Sequence, residues 1–193
     1  MGRIWRPDGV DIQVMDTLRG SLLISNGSLF DPNFRHTVVL VVEHGEDGAL
    51  GLVLNRPAPA TISESVPQLS DLVDAHDNIY IGGPVQPEAA VILAEFDPTA
   101  VPDERLLANI SLVGEVDLED TTSITRARVF GGYSGWGPGQ LESELERNDW
   151  FVEPARADDV FTDDPAHLWH QVLERKGGRF AMLARMPFDP SQN

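Results

Sequence analysis

Cysteine is absent from the 193 residues, which removes disulfides, thiolate nucleophiles and thiolate metal ligation together. Such a chain is compatible with a reducing compartment. Basic side chains are scarce. Lys and Arg number 14 against 31 Asp and Glu, for a net charge of −17. A field of that sign repels nucleic acid, whose binding depends on Lys and Arg displacing counterions. It also disfavours anionic membrane surfaces and favours neutral or cationic partners. Long apolar runs are missing too: a run such as Val38–Val42 is far too short to cross a bilayer. The opening residues, Met-Gly-Arg-Ile-Trp-Arg-Pro-Asp, hold no apolar core of a secretion signal. Arg6 stands where the N-myristoylation pattern needs Ser or Thr. A cytoplasmic protein with no membrane partner is the expectation.

What is present reads as one globular domain. Hydrophobic residues make up 41% and charged residues 23%, and the length suffices for one buried core. Residues 1–19 mix charges without a period and read as an N-terminal extension to a domain spanning 20–193. Ser21–Ser25 is a short apolar strand. "TVVLVVEH" and "ALGLVLN" flank Gly45–Gly48 as a hairpin, and Val38–Val42, apolar on both faces, belongs in the middle of a sheet. A short helix is expected near Ser63. "NIYIGGPV" and "AAVILAEF" are strands around a Gly-Gly-Pro turn, 106–116 is a strand or a short helix, and "RARVFGGY" is a strand. Leu141 and Leu145 share a helical face, and Trp150–Val152 is a strand. Leu168, Trp169, Val172 and Leu173 have helical period, closed by Gly177-Gly178. "RFAMLARM" reads as a last strand. The fold class is α/β or α+β, richer in strand than in helix.

"VFGGYSGWGPGQLESEL", residues 129–145, concentrates glycine where a site would be sought. A Walker A loop fails because Pro138 stands where Lys must reach the phosphates. A dinucleotide fingerprint fails at Gln140. A nucleophile elbow fails at Trp136, too bulky for that turn. Glu142 and Glu144 would offset the positive end of the following helix and so weigh against an anion cradle. A structural turn explains the stretch best, with Pro138 at the first helical position and the glycines letting backbones pass closely. Tyr133, Trp136 and Gln140 nonetheless could line a small pocket.

Four stretches carry a family resemblance: "DPNFRHTVVLVVEHGEDGALGLVLNRP", "IGGPVQPEAAVIL", "VFGGYSGWGPGQLESELERNDWF" and "LARMPFDPSQN". In this order, over about Gly20 to Asn193, the chain resembles the AlgH/YqgE family of bacterial proteins. The loop "ISNGSLFDPNF" departs from the small-Pro-Gly form usual there. The resemblance implies a barrel-like, branched, mainly antiparallel sheet flanked by helices. It supplies no activity and no catalytic residues to carry over. One branch of the family bears a transcriptional-regulator label, which the acidic charge and the lack of a basic recognition helix do not support as direct DNA binding.

Other polar groups carry residue types suited to chemistry. His44 faces Ala49 across the hairpin and lies about 20 Å from Asn55 at the strand rise, so the two form no dyad. Asp31, His36 and Asn55 converge at one sheet end as a candidate site, although such residues often only tie loops down. His167 and His170 share a helix face but lack a third metal ligand. Asp117, Glu119 and Asp120 lack the glycine of a calcium loop. Trp150, Trp169 and Leu168 read as core. The candidate pocket residues are therefore Asp31, His36, Asn55, Tyr133, Trp136, Gln140 and Glu144, with no cofactor or metal expected. The leading reading is a non-catalytic binding or regulatory module with a protein or small-molecule partner. A hydrolase using Asp31 or Glu144 as acid/base is the alternative. Indirect regulation of transcription is third.

Overall fold

Alternation along three neighbouring strands divides the core into two layers. The computed structural model of the chain describes residues 17–26, 33–65, 77–113 and 121–185. Strand β2 (Val38–Gly45) lies antiparallel between β1 (Ser21–Ser25) and β3 (Gly48–Val53). Leu22, Ile24, Val38, Leu40, Val42 and Leu52 face one layer, and Leu23, Val39, Val41 and Val53 the other. None is more than 2% exposed. A strand covered on both faces spares no position for a polar side chain, which is why 38–42 is unbroken. Each side chain so buried contributes roughly 1.5–3 kcal/mol of transfer free energy.

The first layer is closed by α3 (Ala157–Val160), α4 (Leu168–Lys176) and α5 (Gly178–Ala184). Helix α4 supplies Leu168, Trp169, Val172 and Leu173 to the core. Arg175 clamps α4 to α3 through a two-pronged pair with Asp159, Nη1–Oδ1 2.7 Å and Nη2–Oδ2 2.9 Å. The second layer is closed by α2 (Gln140–Glu146), which buries Leu141 against Trp136 and Trp150.

The other strands are β4 (Pro57–Thr61), β5 (Asn78–Ile81), β6 (Val85–Phe96), β7 (Ile110–Leu112), β8 (Ile124–Trp136) and β9 (Trp150–Pro154), with α1 (Ile62–Ser65) after β4. Among the described residues the sheet runs β4-β5-β8-β3-β2-β1-β9, and β6 and β7 branch from β8. Every pairing is antiparallel except β5–β8. This is an α+β fold with the expected branching, and its sheet stays open instead of closing into a barrel.

Several local expectations change. The glycine-rich stretch is not a loop: β8 continues through it to Trp136. Its glycines sit where β8 exchanges β5 for β3 as neighbour. A Cβ on Gly132, which has φ +68°, would stand 2.8 Å from the carbonyl oxygens of Gly83 and Val85, so the close-passage reading of these glycines holds. Helix α2 starts later than expected, with Gly139 as its N-cap, so Pro138 precedes the cap. The strands β5 and β6 flank β8 and do not pair with each other. Residues 110–112 resolve the strand-or-helix question as strand. Helix α1 begins at Ile62, and Glu64 Oε2 accepts the Thr61 N–H at 3.0 Å, half of a capping box.

The last expected strand is the helix α5. Phe180, Leu183 and Ala184 pack inward at helical spacing, while Met182 is 72% exposed. A short apolar run fits either period, and the packing of Phe180 on Phe151, with centroids 4.8 Å apart, decides it.

Candidate functional site

The indoles of Trp136 on β8 and Trp150 on β9 converge on one carboxylate. Both Nε1–H groups donate to Glu144 Oε2 at 2.8 Å, and Gln140 Nε2 donates to Oε1 at 2.9 Å. Gln140 Oε1 in turn accepts the Gly137 N–H at 3.1 Å. The i, i+4 spacing of Gln140 and Glu144 on α2 aims both at this point. The rings of Trp136 and Trp150 meet at 78° with centroids 6.1 Å apart, and Phe34 packs on both. Trp136, Gln140 and Glu144 are thus brought together, with Trp150, which had been read only as core.

Tyr133 stands apart from this knot. It packs with the α4-side layer, while Trp136 belongs to the α2-side layer. The two residues meet only at the rim of a depression of about 380 Å³, formed also by Glu43, Asp47, Leu50 and Val85. Beside it, His44 lies within β2 and not in a loop. Its Nδ1 accepts the Leu18 N–H at 3.2 Å, so Nε2 is the protonated nitrogen that meets Glu142 Oε1 at 2.9 Å. Thr17 and Arg19 also bond to β2, through the carbonyls of His44 and Val42.

At the opposite end of the hairpin, Asn55 is consumed by backbone. Its Oδ1 accepts the Val38 N–H at 3.0 Å and its Nδ2 donates to the His36 carbonyl at 2.9 Å. His36 lies in a left-handed conformation, φ 54°, with its ring edge-on to Trp169 at 4.6 Å. Burial, with Arg35, His170 and Arg56 adding positive charge, holds its pKa below the usual imidazole value. Asp31, the third residue of that candidate group, lies outside the described residues, as do Asp117, Glu119 and Asp120. His167 Nδ1 pairs with Asp164 at 2.9 Å. No cluster of three or more metal-ligating side chains occurs among the described residues.

A larger cleft of about 460 Å³ was not expected. Tyr80, Arg126, Arg128, Phe161, Asp77 and Asp163 are among its lining residues. Arg128 Cζ sits 4.3 Å above the Tyr80 ring, and Arg126 Cζ 4.5 Å above that of Phe161. Arg128 also donates to the carbonyls of Val160 and Thr162, the latter at 2.9 Å. The sequence signal was "RAR" at 126–128: on a strand, residues two apart share a face, which concentrates positive charge in a chain that has little.

The fold is thus that of an α+β protein with an open, branched, mainly antiparallel sheet. The profile of the AlgH-like family (DUF179) matches residues 22–181, and the chain belongs to that family. A UPF0301 protein of Mycobacterium tuberculosis is 39% identical over 181 residues, covering 90% of each chain. One of Streptomyces coelicolor is 38% identical over 188 residues, covering 93% of this chain and 97% of that one. Among solved structures, a protein of Corynebacterium diphtheriae is similar with a TM-score of 0.77 and 27% identity, over 86% of this chain and 91% of that one. The AlgH protein of Pseudomonas aeruginosa is similar with a TM-score of 0.66 and 30% identity, over 96% and 98%. No described helix is long and apolar enough to cross a membrane.

Proposed function

We propose that the chain is a non-catalytic binding module that receives a cationic group, an amine or a guanidinium, in the depression between the β2–β3 turn and β8. One observation carries this reading. Glu43 and Asp47 line the depression beside the Tyr133 ring, and neither carboxylate makes a hydrogen bond or ion pair among the described residues. Carboxylates beside an aromatic face and the apolar Leu50 and Val85 suit an organic cation. The net charge of −17 steers such a partner toward the surface. Glu144 and His44, the groups nearby that a hydrolase would employ, are instead engaged in internal hydrogen bonds.

The same proposal takes residues 20–193 as the working domain, with 1–19 as its extension, and sets the module in the cytoplasm. Regulation then acts through the partner held and without contact to DNA. Titration of a lysine-rich decapeptide into the labelled protein, followed by amide shifts at about 0.1 M salt, tests the reading. Saturable shifts at Asp47–Leu50 and Tyr133–Gly135, abolished in the Glu43→Gln, Asp47→Asn double variant, are expected. Shifts spread evenly over the surface, or unchanged in that variant, would refute it.

A further inference from the structure

The cleft at the other end of β8 carries a separate inference, independent of the acidic depression. Arg128 is a half-buried guanidinium whose partners are an aromatic face and two backbone carbonyls. No carboxylate lies within ion-pair distance of it among the described residues, although acids outnumber bases 31 to 14 in the chain. Buried charges are normally paired. Burial accordingly depresses its pKa, with Tyr80, Asp77 and Asp163 acting in the opposite direction and Arg126 with burial.

Arg126 adds a second guanidinium on the same strand face. Its Nε donates to Glu95 Oε2 at 2.5 Å, and its terminal nitrogens have no hydrogen-bond partner among the described residues. Its side chain is 44% exposed. The phenol oxygen of Tyr80 likewise has no partner there. Three donor groups that face one cleft, two of them cationic, stand beside apolar wall from Pro57, Ile62 and Phe161.

We infer that this cleft is a binding site for a small organic anion, its oxyanion held by Arg126, Arg128 and the Tyr80 hydroxyl and its apolar body laid against Phe161 and Pro57. Asp77 and Asp163, both exposed on the lining, disfavour ligands of high negative charge and so select a monoanion or an ester over a polyphosphate. Carboxylate and phosphate share the chemistry that a guanidinium reads.

The test titrates phenyl phosphate, benzoate and the cation benzamidine separately into the full ¹⁵N-labelled chain, reading amide and arginine Nε resonances. Saturable shifts at Tyr80, Arg126, Arg128 and Thr162 from at least one anion, and none there from benzamidine, are expected. The tighter of the two anions tells phosphate from carboxylate. Arg126→Gln is the variant of choice because Arg128 also holds the 160–162 segment. It should weaken the anion about tenfold, and Tyr80→Phe about threefold, with both variants folded. Three results would overturn the inference: no saturation by either anion at about 10 mM, benzamidine binding as well as the anions, or an unchanged affinity in folded Arg126→Gln.

Discussion

The two aromatic clusters at the ends of β8 treat their polar groups in opposite ways. In the knot of Trp136, Trp150, Gln140 and Glu144, both carboxylate oxygens accept N–H donors. Polar capacity is matched within the cluster, which leaves it a structural joint between α2, β8 and β9. In the cleft of Tyr80, Phe161, Arg126 and Arg128, the guanidiniums lean on rings and carbonyls, Arg126 pairs with Glu95 through Nε alone, and its terminal nitrogens retain donors that no described residue accepts. Matched groups give rigidity, and surplus donors beside a cavity give a place for a ligand. Aromatic residues gathered around one polar group therefore do not by themselves mark a site. The balance of donors and acceptors does.

The comparison breaks most readily at the knot. Trp150 is 2% exposed, so Trp150→Ala empties a large core volume and should cost about 3–5 kcal/mol in a denaturant titration. A cost near that of a surface change would show that the knot is not a joint. Glu144→Leu comes next. It strands two indole N–H groups, one on Trp136 at 5% exposure, and should cost about 1–3 kcal/mol, whereas Glu144→Gln keeps one acceptor and should cost less. Equal costs for the two variants would mean that the hydrogen bonds carry no weight. At the other end of β8, Arg128→Met keeps the stem on Tyr80 and removes the bonds to Val160 and Thr162. It should cost about 1 kcal/mol overall, with amide exchange rising around 161–163 and unchanged in α2. Exchange rising in α2 as well would deny that the two clusters are independent.

How much of this was legible in the sequence depended on whether one period explained a segment. The hairpin of β2 and β3 was legible because Val38–Val42 needs cover on both faces and Gly45–Gly48 is a turn by composition. The helix α5 was misread as strand because eight residues with Phe180, Met182 and Leu183 fit either period until Phe151 is placed beside them. In the glycine stretch the reason for glycine was legible, a close backbone passage, but its setting was not. Only the sheet topology shows that β8 changes neighbours there. Of the candidate site, Trp136, Gln140 and Glu144 do converge, and His36 and Asn55 do meet. Tyr133 was separated from Trp136 because three steps along a strand reverse the face. The Arg126–Arg128 cleft went unseen, since its other wall comes from Tyr80 and Phe161, which are distant in sequence.

The smallest expected effect is a pH dependence that belongs to neither cluster. His36 and His170 both pack on Trp169, at 4.6 and 5.1 Å, and burial lowers the pKa of each below 6.5. Folded pKa values below the unfolded ones mean that the unfolded chain binds protons first as pH falls. The stability these groups contribute is therefore complete above about 6.5 and declines as pH drops through 6.5 toward the lower folded values. The denaturation midpoint should fall between about pH 7.5 and 5.5, and a His36→Gln, His170→Gln double variant should flatten that fall. Replacement of Arg35 or Arg56 by Gln should lessen it slightly, because both contribute to the depressed His36 value. If the fall survives in the double variant, the proton uptake belongs to groups other than the two imidazoles packed on Trp169.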